Sequence, residues 1–210
     1  MLRSVRLASV AALGYAMGSI PVGVVAGRLS RGIDVREHGS HSMGMANVLR
    51  TAGRGPAAAT LALDIAKGAA AARLGKALAG NAGGVVAGLG AIVGHSWPVF
   101  AGFRGGKSSA TTFGAAIVMA PEAAGVALAS GLAALAVSRR TSVLSLTGSG
   151  AAVVAAIGLA VRRHDLTSLA LVGPGVAIVV LRHHENINRL LRGVEPEVSL
   201  AEPAPTAATA

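Results

Sequence analysis

Three polar clusters interrupt an otherwise apolar sequence, and each carries residue types that bind anions. The first lies between residues 27 and 56, the longest polar stretch between apolar segments, and contains Ser40, Asn47 and Arg50. Loops often carry functional side chains, but a solvated loop whose arginines only set membrane topology would have the same composition. Taken alone, this cluster leaves both interpretations open.

The second cluster, GHSWPVFAGFRGGKSSATTFG, begins at Gly94 and places a turn at Gly105 and Gly106 before Lys107. Glycines let backbone N–H groups approach an anion, the following helix contributes its positive N-terminal dipole, and the lysine adds a full charge. The pattern is not a Walker A loop, because Ala101 stands where the first glycine is required. The spacing suits a phosphate group, and the alternative is an interfacial turn with a snorkelling lysine.

The third cluster, RHHENINRLLRG, begins at Arg182. If the preceding helix continues, His183, Asn186 and Arg189 are spaced i, i+3 and i+6, so a titratable base, an amide and a cation point in similar directions. The alternative is a basic helix end that complements the helix dipole. No metal site is expected, since the histidines provide only one i, i+3 pair and the chain has no cysteine.

Two further polar features lie in or beside apolar segments. Asp64 and Lys67 are three residues apart, so on a membrane helix they can form a buried ion pair, which is either structural or part of a transport path. Ser142 follows Arg139 and Arg140 at the start of a later apolar segment, where a serine needs no function beyond capping a helix.

The composition indicates that membrane helices position these clusters. Of 210 residues, 52% are hydrophobic and 13% are charged, and mean hydropathy is +0.61, whereas about a quarter of a soluble domain is charged. The 29 glycines favour close helix packing in lipid. The net charge of +10 is spread over loops without interleaved aromatic residues, which argues against a nucleic-acid partner. The absence of cysteine excludes disulfides and thioester intermediates.

Seven apolar segments predict an all-α polytopic membrane protein with about seven transmembrane helices. The first segment follows Arg3 and Arg6 as in a signal peptide, but its length and the apolar segments after it favour a retained first span. The two segments that flank Pro121 are short for a membrane core of about 30 Å, so one broken helix and six spans are the alternative. The segments are 1–27, 56–74, 84–100, 110–120, 121–137, 143–161 and 166–181.

Basic residues are distributed unevenly between the two ends of these segments. With the N-terminus outside, the cytoplasmic loops hold twelve Lys and Arg residues and the opposite side holds six, while Lys67 lies within a span. Cytoplasmic loops carry the excess of positive charge, so the three clusters are predicted to face the cytoplasm from the plasma (inner) membrane. Residues 1–193 then form the transmembrane domain, and residues 194–210, rich in Glu, Pro, Ala and Thr, are expected to be a disordered tail.

The order and spacing of the motifs resemble those of the bacterial acyl-phosphate:glycerol-3-phosphate acyltransferases over nearly the whole chain. The matching motifs are GSIPVG from Gly18, RGIDVREHGS and NVLR in the first cluster, Asp64 with Lys67 and Gly68, GHSWPVFAGFRGGK, and HHENINRL. The resemblance implies a seven-helix membrane enzyme that transfers a fatty acyl group from acyl phosphate to the sn-1 hydroxyl of glycerol 3-phosphate. The products are lysophosphatidic acid and phosphate, and no cofactor or metal takes part.

The same resemblance assigns roles to individual residues. His183, Lys107 and Arg50 are expected to be catalytic, and with Ser40 and Ser142 they contact glycerol 3-phosphate. The substrate-binding set is completed by Gly105, Gly106 and Asn186 on the acyl-phosphate side, and by Asn47 and Arg189. An acyl phosphate is already activated, so the hydroxyl needs positioning and a base but no covalent enzyme intermediate.

Four positions depart from the family pattern. The family's Ser-Gly-Asn is Ser40-His41-Ser42 here, its Thr-Asn is Ala46-Asn47, and its Gly-Lys-Gly is Gly106-Lys107-Ser108. If the last of those glycines requires positive φ, Ser108 is expected to reshape the turn. The departures leave two alternatives to the main interpretation, a relative that uses another acceptor or donor and a noncatalytic paralogue that binds phospholipid precursors. A third alternative, a small transporter for a phosphorylated solute, rests on Asp64 and Lys67 instead.

Overall fold

The computed structural model describes residues 2–164 and 166–198. These residues form helices joined by turns and short 3₁₀ segments, with no strand among them, as the sequence predicts. The helices are α1 Leu2–Gly18, α2 Val22–Arg31, α3 Met45–Ala52, α4 Arg54–Ser96, α5 Ser109–Met119, α6 Pro121–Ser138, α7 Thr141–Arg163, α8 Thr167–Arg182 and α9 His184–Leu191.

The first apolar segment forms two helices, whereas the sequence predicted one continuous span over residues 1–27. The chain breaks between α1 and α2 because Pro21 has no N–H to continue the helical ladder. α1 packs against the second half of α4, with Gly14 and Gly18 against the backbone of Ala87 and Ala91 so closely that no Cβ would fit. This segment is therefore an integral part of the helical bundle.

α4 combines the predicted segments 56–74 and 84–100 into one hairpin. Ala79 and Gly80 have non-helical backbone angles, and Gly80 adopts a φ of 66° that favours glycine. Gly75 and Gly83 face each other across the bend at backbone contact distance. The two arms of α4 therefore pack side by side. The first arm begins after the first polar loop, and the second arm ends before the glycine-rich turn.

α5 and α6 are separate helices that diverge from Ala120, where the backbone leaves the helical region. α5 starts beside the glycine-rich turn, and α6 leads back to Arg139 and Arg140. Four stretches are long and apolar enough to cross a membrane, and α5 and α8 are apolar but shorter. The count of seven spans stays a prediction. The long stretches are 2–31, 54–101, 121–138 and 141–163.

Small side chains make up much of the interior, while large apolar ones point outward. Ala72, Ile92 and Ala115 are fully buried between α4 and α5, whereas Val154 on α7 is 71% exposed. Outward-facing leucine and valine side chains are the surface expected of helices in lipid. The bundle is thus held together by close backbone approach rather than by a wide apolar core.

The chain after α9 folds back onto the bundle. Glu195 is only 4% exposed, and the Val198 N–H donates to the Arg139 carbonyl at 2.7 Å. Glu195 and Val198 therefore contact the bundle, whereas residues 194, 196 and 197 are exposed, and the disordered tail over residues 194–210 stays a prediction. The remainder of that predicted tail, residues 199–210, lies outside the described residues.

Candidate active site

The loop before α3 is shaped by an arginine–aspartate pair. The Asp34 carboxylate accepts hydrogen bonds from the Arg36 backbone N–H and from its guanidinium, at 2.7–3.0 Å. Hydrogen bonding to Arg36 lowers the pKa of Asp34 to about 2. Arg36 also donates to the Ala101 carbonyl at 2.6 Å, which ties the first polar cluster to the second.

Asn47 organises this loop from inside. Its side-chain Nδ2 donates to the carbonyls of Val35, His38 and Ser42 at 2.7–3.1 Å, and its Oδ1 accepts from the Ser40 N–H at 2.8 Å. These bonds occupy both N–H groups of the amide and one lone pair of its oxygen. The structure therefore gives Asn47 a role in placing Ser40, and the direct substrate contact expected from the sequence stays a prediction.

Arg50 reaches the site from α3, the short amphipathic helix that follows the loop. The apolar face of α3 buries Val48, Leu49 and Ala52, which turns the Arg50 side chain toward the cavity described below. Burial lowers the pKa of Arg50 from its usual value, but a guanidinium remains charged at neutral pH. Arg50 thus places a permanent cation at the polar end of the site.

The glycine-rich turn is held in place through its carbonyl groups. Arg182 donates to the Gly105 and Gly106 carbonyls at 3.3 and 3.0 Å and stacks on the Trp97 ring. The Gly106 N–H donates to the His95 carbonyl at 3.0 Å, so this amide is not free to bind phosphate as the sequence suggested. The two glycines are needed because a Cβ at either position would clash with His95.

Ser108 stands where the family has glycine, and it adopts the left-handed backbone conformation that favours glycine. Its φ is 61°, and its buried hydroxyl donates to the Ile92 carbonyl at 2.8 Å and pairs with the Ser96 hydroxyl at 2.5 Å. These bonds offset the cost of positive φ in a residue with a Cβ. The turn therefore accommodates a serine at positive φ and presents Lys107 to the cavity, and its reshaping relative to the family stays a prediction.

Lys107 and His183 face the same cavity with different charge states. The Lys107 ammonium donates to the Asn186 side-chain carbonyl, and burial, assisted by the Arg189 cation, lowers the Lys107 pKa to about 8. His183 Nδ1 lies 2.7 Å from the Val179 carbonyl, which can only accept, so Nε2 carries the lone pair. Burial lowers the pKa of His183 to about 4, and its ring is therefore neutral at pH 7.

Glu195 is the site residue that sequence reasoning missed. Its carboxylate accepts from Asn186 Nδ2 at 2.6 Å and from Arg189 Nε at 2.7 Å, and Arg140 donates to its backbone carbonyl at 2.9 Å. Burial opposes ionisation, but the hydrogen bonds from Asn186 and Arg189, with the positive charge of Arg189, outweigh it and lower the pKa of Glu195. Arg189 thus bonds Glu195 through Nε and is not among the residues that line the cavity, and its expected contact with substrate stays a prediction.

These elements enclose a cavity of about 350 Å³ with two chemically distinct parts. One end is polar, and one long wall is apolar and runs between α5, α6, α7 and α8. Ser142, 3% exposed and without a helix-cap hydrogen bond, lies at the polar end. The polar lining includes Ser40, Ser42, Asn47, Arg50, Asp64, His95, Lys107, Ser108, Ser142, His183 and Asn186, and the apolar wall includes Leu61, Ile65, Phe113, Leu128, Leu132, Leu144, Val172 and Val176.

Comparison with known proteins gives one consistent result. A family profile described as glycerol-3-phosphate acyltransferase matches residues 8–193. Among curated proteins of that name, the one from Symbiobacterium thermophilum is 47% identical over 190 residues, covering 90% of this chain and 93% of the relative. A second, from Synechococcus sp. (strain JA-3-3Ab), is 45% identical over 185 residues, covering 88% and 90%.

Two crystal structures of PlsY, an integral membrane glycerol 3-phosphate acyltransferase, have the same fold. The glycerol 3-phosphate form superposes with a TM-score of 0.84 at 31% identity, covering 92% of this chain and 96% of PlsY. The lysophosphatidic acid form gives 0.81 at 30% identity with the same coverage. The family profile, the relatives and the solved structures agree over nearly the whole length, and the chain belongs to the glycerol-3-phosphate acyltransferase family.

Proposed function

We propose that this protein transfers a fatty acyl group from acyl phosphate to the sn-1 hydroxyl of glycerol 3-phosphate, forming lysophosphatidic acid and phosphate. The observation that carries the proposal is the two-part cavity, which has cationic and hydroxyl side chains at one end and apolar side chains along its long wall. Such a cavity matches an anionic head group attached to an alkyl chain. The glycerol 3-phosphate and lysophosphatidic acid forms of PlsY support the acceptor and the product.

The acceptor phosphate binds between Arg50 and Lys107, with Ser40 and Ser142 as neutral donors. Two cations in a partly buried site balance a phosphate dianion, and charged hydrogen bonds of this kind are about twice as strong as neutral ones. Asn186 completes the polar end by holding the Lys107 ammonium. Each residue given a role here lines the cavity.

His183 orients the acceptor hydroxyl through the lone pair on Nε2. With a pKa of about 4, this imidazole is a weaker base than a phosphate group, whose second pKa is about 6. The hydroxyl oxygen therefore forms its new bond to the acyl carbon while its proton passes to a phosphate oxygen. The bond between the acyl carbon and the donor phosphate breaks, and phosphate leaves with the electron pair.

The departures in the first loop are compatible with catalysis. His41 takes a left-handed φ of 52° and is exposed, with Nδ1 donating to the Arg36 carbonyl at 3.0 Å. The Ser42 hydroxyl accepts from the Gly44 N–H at 3.3 Å. The loop thus keeps a closed hydrogen-bonded shape around Ser40, which favours an active enzyme over a noncatalytic paralogue.

The membrane orientation is part of the same proposal. The helices are membrane-embedded, and the cationic loops collect at the end that carries the site. Following the positive-inside rule, this end faces the cytoplasm of the inner membrane. A cytoplasmic site gives glycerol 3-phosphate access from water, while the apolar wall takes the acyl chain from the lipid side.

A direct assay tests the function. Purified protein is mixed with palmitoyl phosphate and labelled glycerol 3-phosphate and scored for lysophosphatidic acid, with palmitoyl-CoA as the comparison donor. Arg50→Ala and Lys107→Ala are each expected to lower kcat/KM by about 10- to 150-fold, as for loss of a charged hydrogen bond. Arg163→Ala removes an exposed arginine paired with Glu122 at the far end and serves as the matched control. A folded wild type that makes no product from acyl phosphate would refute the proposal.

A further inference from the structure

Three ionisable side chains are buried together beside the glycine-rich turn, and the proposed reaction gives none of them a role. Two of them, Asp64 and His95, also line the cavity. Asp64 is 2% exposed, His95 3% and Lys67 7%. Asp64 Oδ1 lies 2.8 Å from the Lys67 ammonium and 3.4 Å from His95 Nδ1. The predicted pair between Asp64 and Lys67 is thus present, and a histidine from the other arm of α4 joins it.

A purely structural role explains this cluster poorly. Burying an ion pair costs several kcal/mol per ion before the mutual attraction is counted, and apolar residues of similar size often stabilise a protein as well. Neighbouring positions in α4 are filled by alanine and glycine. The placement of the three groups relative to the site is therefore informative.

His95 contacts the turn directly. Its carbonyl accepts the Gly106 N–H at 3.0 Å, and its ring lies so close to Gly106 that a Cβ there would meet Nε2. Lys107 is the next residue along the chain. The position of the His95 side chain and backbone therefore determines where the Lys107 ammonium can lie.

The opposite side of the cluster reaches the first polar loop. Lys67 donates to the Ile20 carbonyl at 3.0 Å, inside the break between α1 and α2. α2 in turn supports the loop, because Gly23 packs on the backbone of Met43. The three side chains thus connect the α1–α2 break, both arms of α4 and the turn that carries Lys107.

We infer that Asp64, Lys67 and His95 act as positioning residues, holding the Gly105–Gly106 turn so that Lys107 meets the acceptor phosphate. This inference rests on the proposed function. The Asp64 carboxylate lies 3.4 Å from Nδ1 and orients the imidazole by its charge, and the Lys67 ammonium, 2.8 Å from the same oxygen, holds the carboxylate in place. Asp64 and His95 also line the cavity, but the role inferred for them is to hold the turn rather than to exchange a proton or form a bond.

A matched pair of variants tests the inference. His95→Asn keeps an amide donor where Nδ1 lies, whereas His95→Gln places its amide near the position of Nε2. His95→Gln is expected to raise KM for glycerol 3-phosphate by about 10- to 100-fold, the loss of most of one charged phosphate contact. His95→Asn is expected to stay within about threefold of wild type, and kcat per folded enzyme changes little in both. If His95 only fills space, the two variants should raise KM equally, or His95→Gln should raise it less because glutamine is larger than asparagine.

The charged pair is tested by a neutral double variant, Asp64→Asn with Lys67→Met, which leaves no unpaired buried charge. It is expected to fold and to show the same rise in KM, and the Glu122→Gln, Arg163→Met double variant at the far end serves as the control. Glycerol 3-phosphate affinity of the detergent-solubilised protein, by calorimetry, gives a readout independent of turnover. A folded double variant with wild-type KM and affinity overturns the inference, as does unfolding of every variant including His95→Asn.

The outcomes separate the two proposals. An active wild type with unchanged KM in all variants refutes the positioning role alone. A wild type that binds glycerol 3-phosphate without turnover, and loses affinity in the variants, supports positioning and refutes the proposed reaction. A wild type that neither binds nor reacts refutes both.

Discussion

The closed end of the cavity predicts a limit on the length of acyl chain that it can bury. The apolar wall runs along α7 from Ser142 to Ala152, ten residues apart, or about 15 Å at the helical rise. A zigzag alkyl chain built from bonds of about 1.5 Å advances about 1.3 Å per bond, so on the order of twelve methylene groups fit. Beyond this point Ala120, Ala123 and Ala156 pack against Ala152, and we expect this cluster to form the closed end of the cavity.

Ala152→Leu is expected to shorten the preferred chain. The leucine adds three carbons at the closed end and displaces about three methylene groups of a long substrate. At about 0.8 kcal/mol per buried methylene, the loss is about 2.4 kcal/mol, or roughly 60-fold in kcat/KM. Acyl phosphates of eight or ten carbons do not reach the substitution and are expected to react as with wild type.

The assay is kcat/KM across acyl phosphates of eight to eighteen carbons. Val154→Leu, on the outward face of the same helix where Val154 is 71% exposed, is the control. If Ala152→Leu and Val154→Leu gave the same chain-length profile, the chain would not run to the closed end. It would instead leave sideways past Leu128 and Leu132, which line the cavity and are about half exposed.

Three further predictions follow from the polar end. Only the protonated Lys107 attracts a dianion, so kcat/KM for glycerol 3-phosphate should fall as pH rises through about 8. Lys107→Arg should move this fall in kcat/KM to higher pH. If the fall stays at the same pH in the variant, another group causes it. Glu195 has a lowered pKa, so its contribution to stability is present above the unfolded pKa and lost as pH falls through the folded one. Glu195→Gln should therefore lower the free energy of unfolding at pH 7 by about 1.5–3 kcal/mol, with the deficit shrinking in acid, in denaturation monitored at both pH values. His41 has a φ of 52°, so His41→Gly should raise the free energy of unfolding by up to about 1 kcal/mol. The melting temperature should rise accordingly while KM stays unchanged, and a lower melting temperature would count against strain at this position.

The general architecture was predictable because lipid imposes strong and simple constraints. An apolar segment in a membrane must be helical, so residue hydropathy was enough to place the arms of α4 and the helices from α5 to α8. The convergence of Arg50, Lys107 and His183 was also predictable, because cations and a base at one membrane face suit an anionic substrate. The break at Pro21 was missed because the apolar run continues across it.

The finer roles could not be deduced from residue type. Asn47 and Gly106 were expected to offer hydrogen bonds to substrate, but whether an amide is free depends on carbonyls that only the folded chain brings near. Glu195 was assigned to a tail because Pro- and Glu-rich segments rarely bury a core. A single carboxylate binding an existing group of cations leaves no trace in a composition average.

The docking of Glu195 on Asn186 and Arg189 has a consequence for biogenesis. The site draws on side chains from Ser40 to Glu195, and the last of them follows the final membrane helix in the order of synthesis. While the ribosome still holds residues near 195, the cation cluster lacks its counterion and the substrate site is incomplete. A nascent chain whose helix α8 is already inserted in the bilayer therefore acquires its complete substrate site only after Glu195 has also emerged.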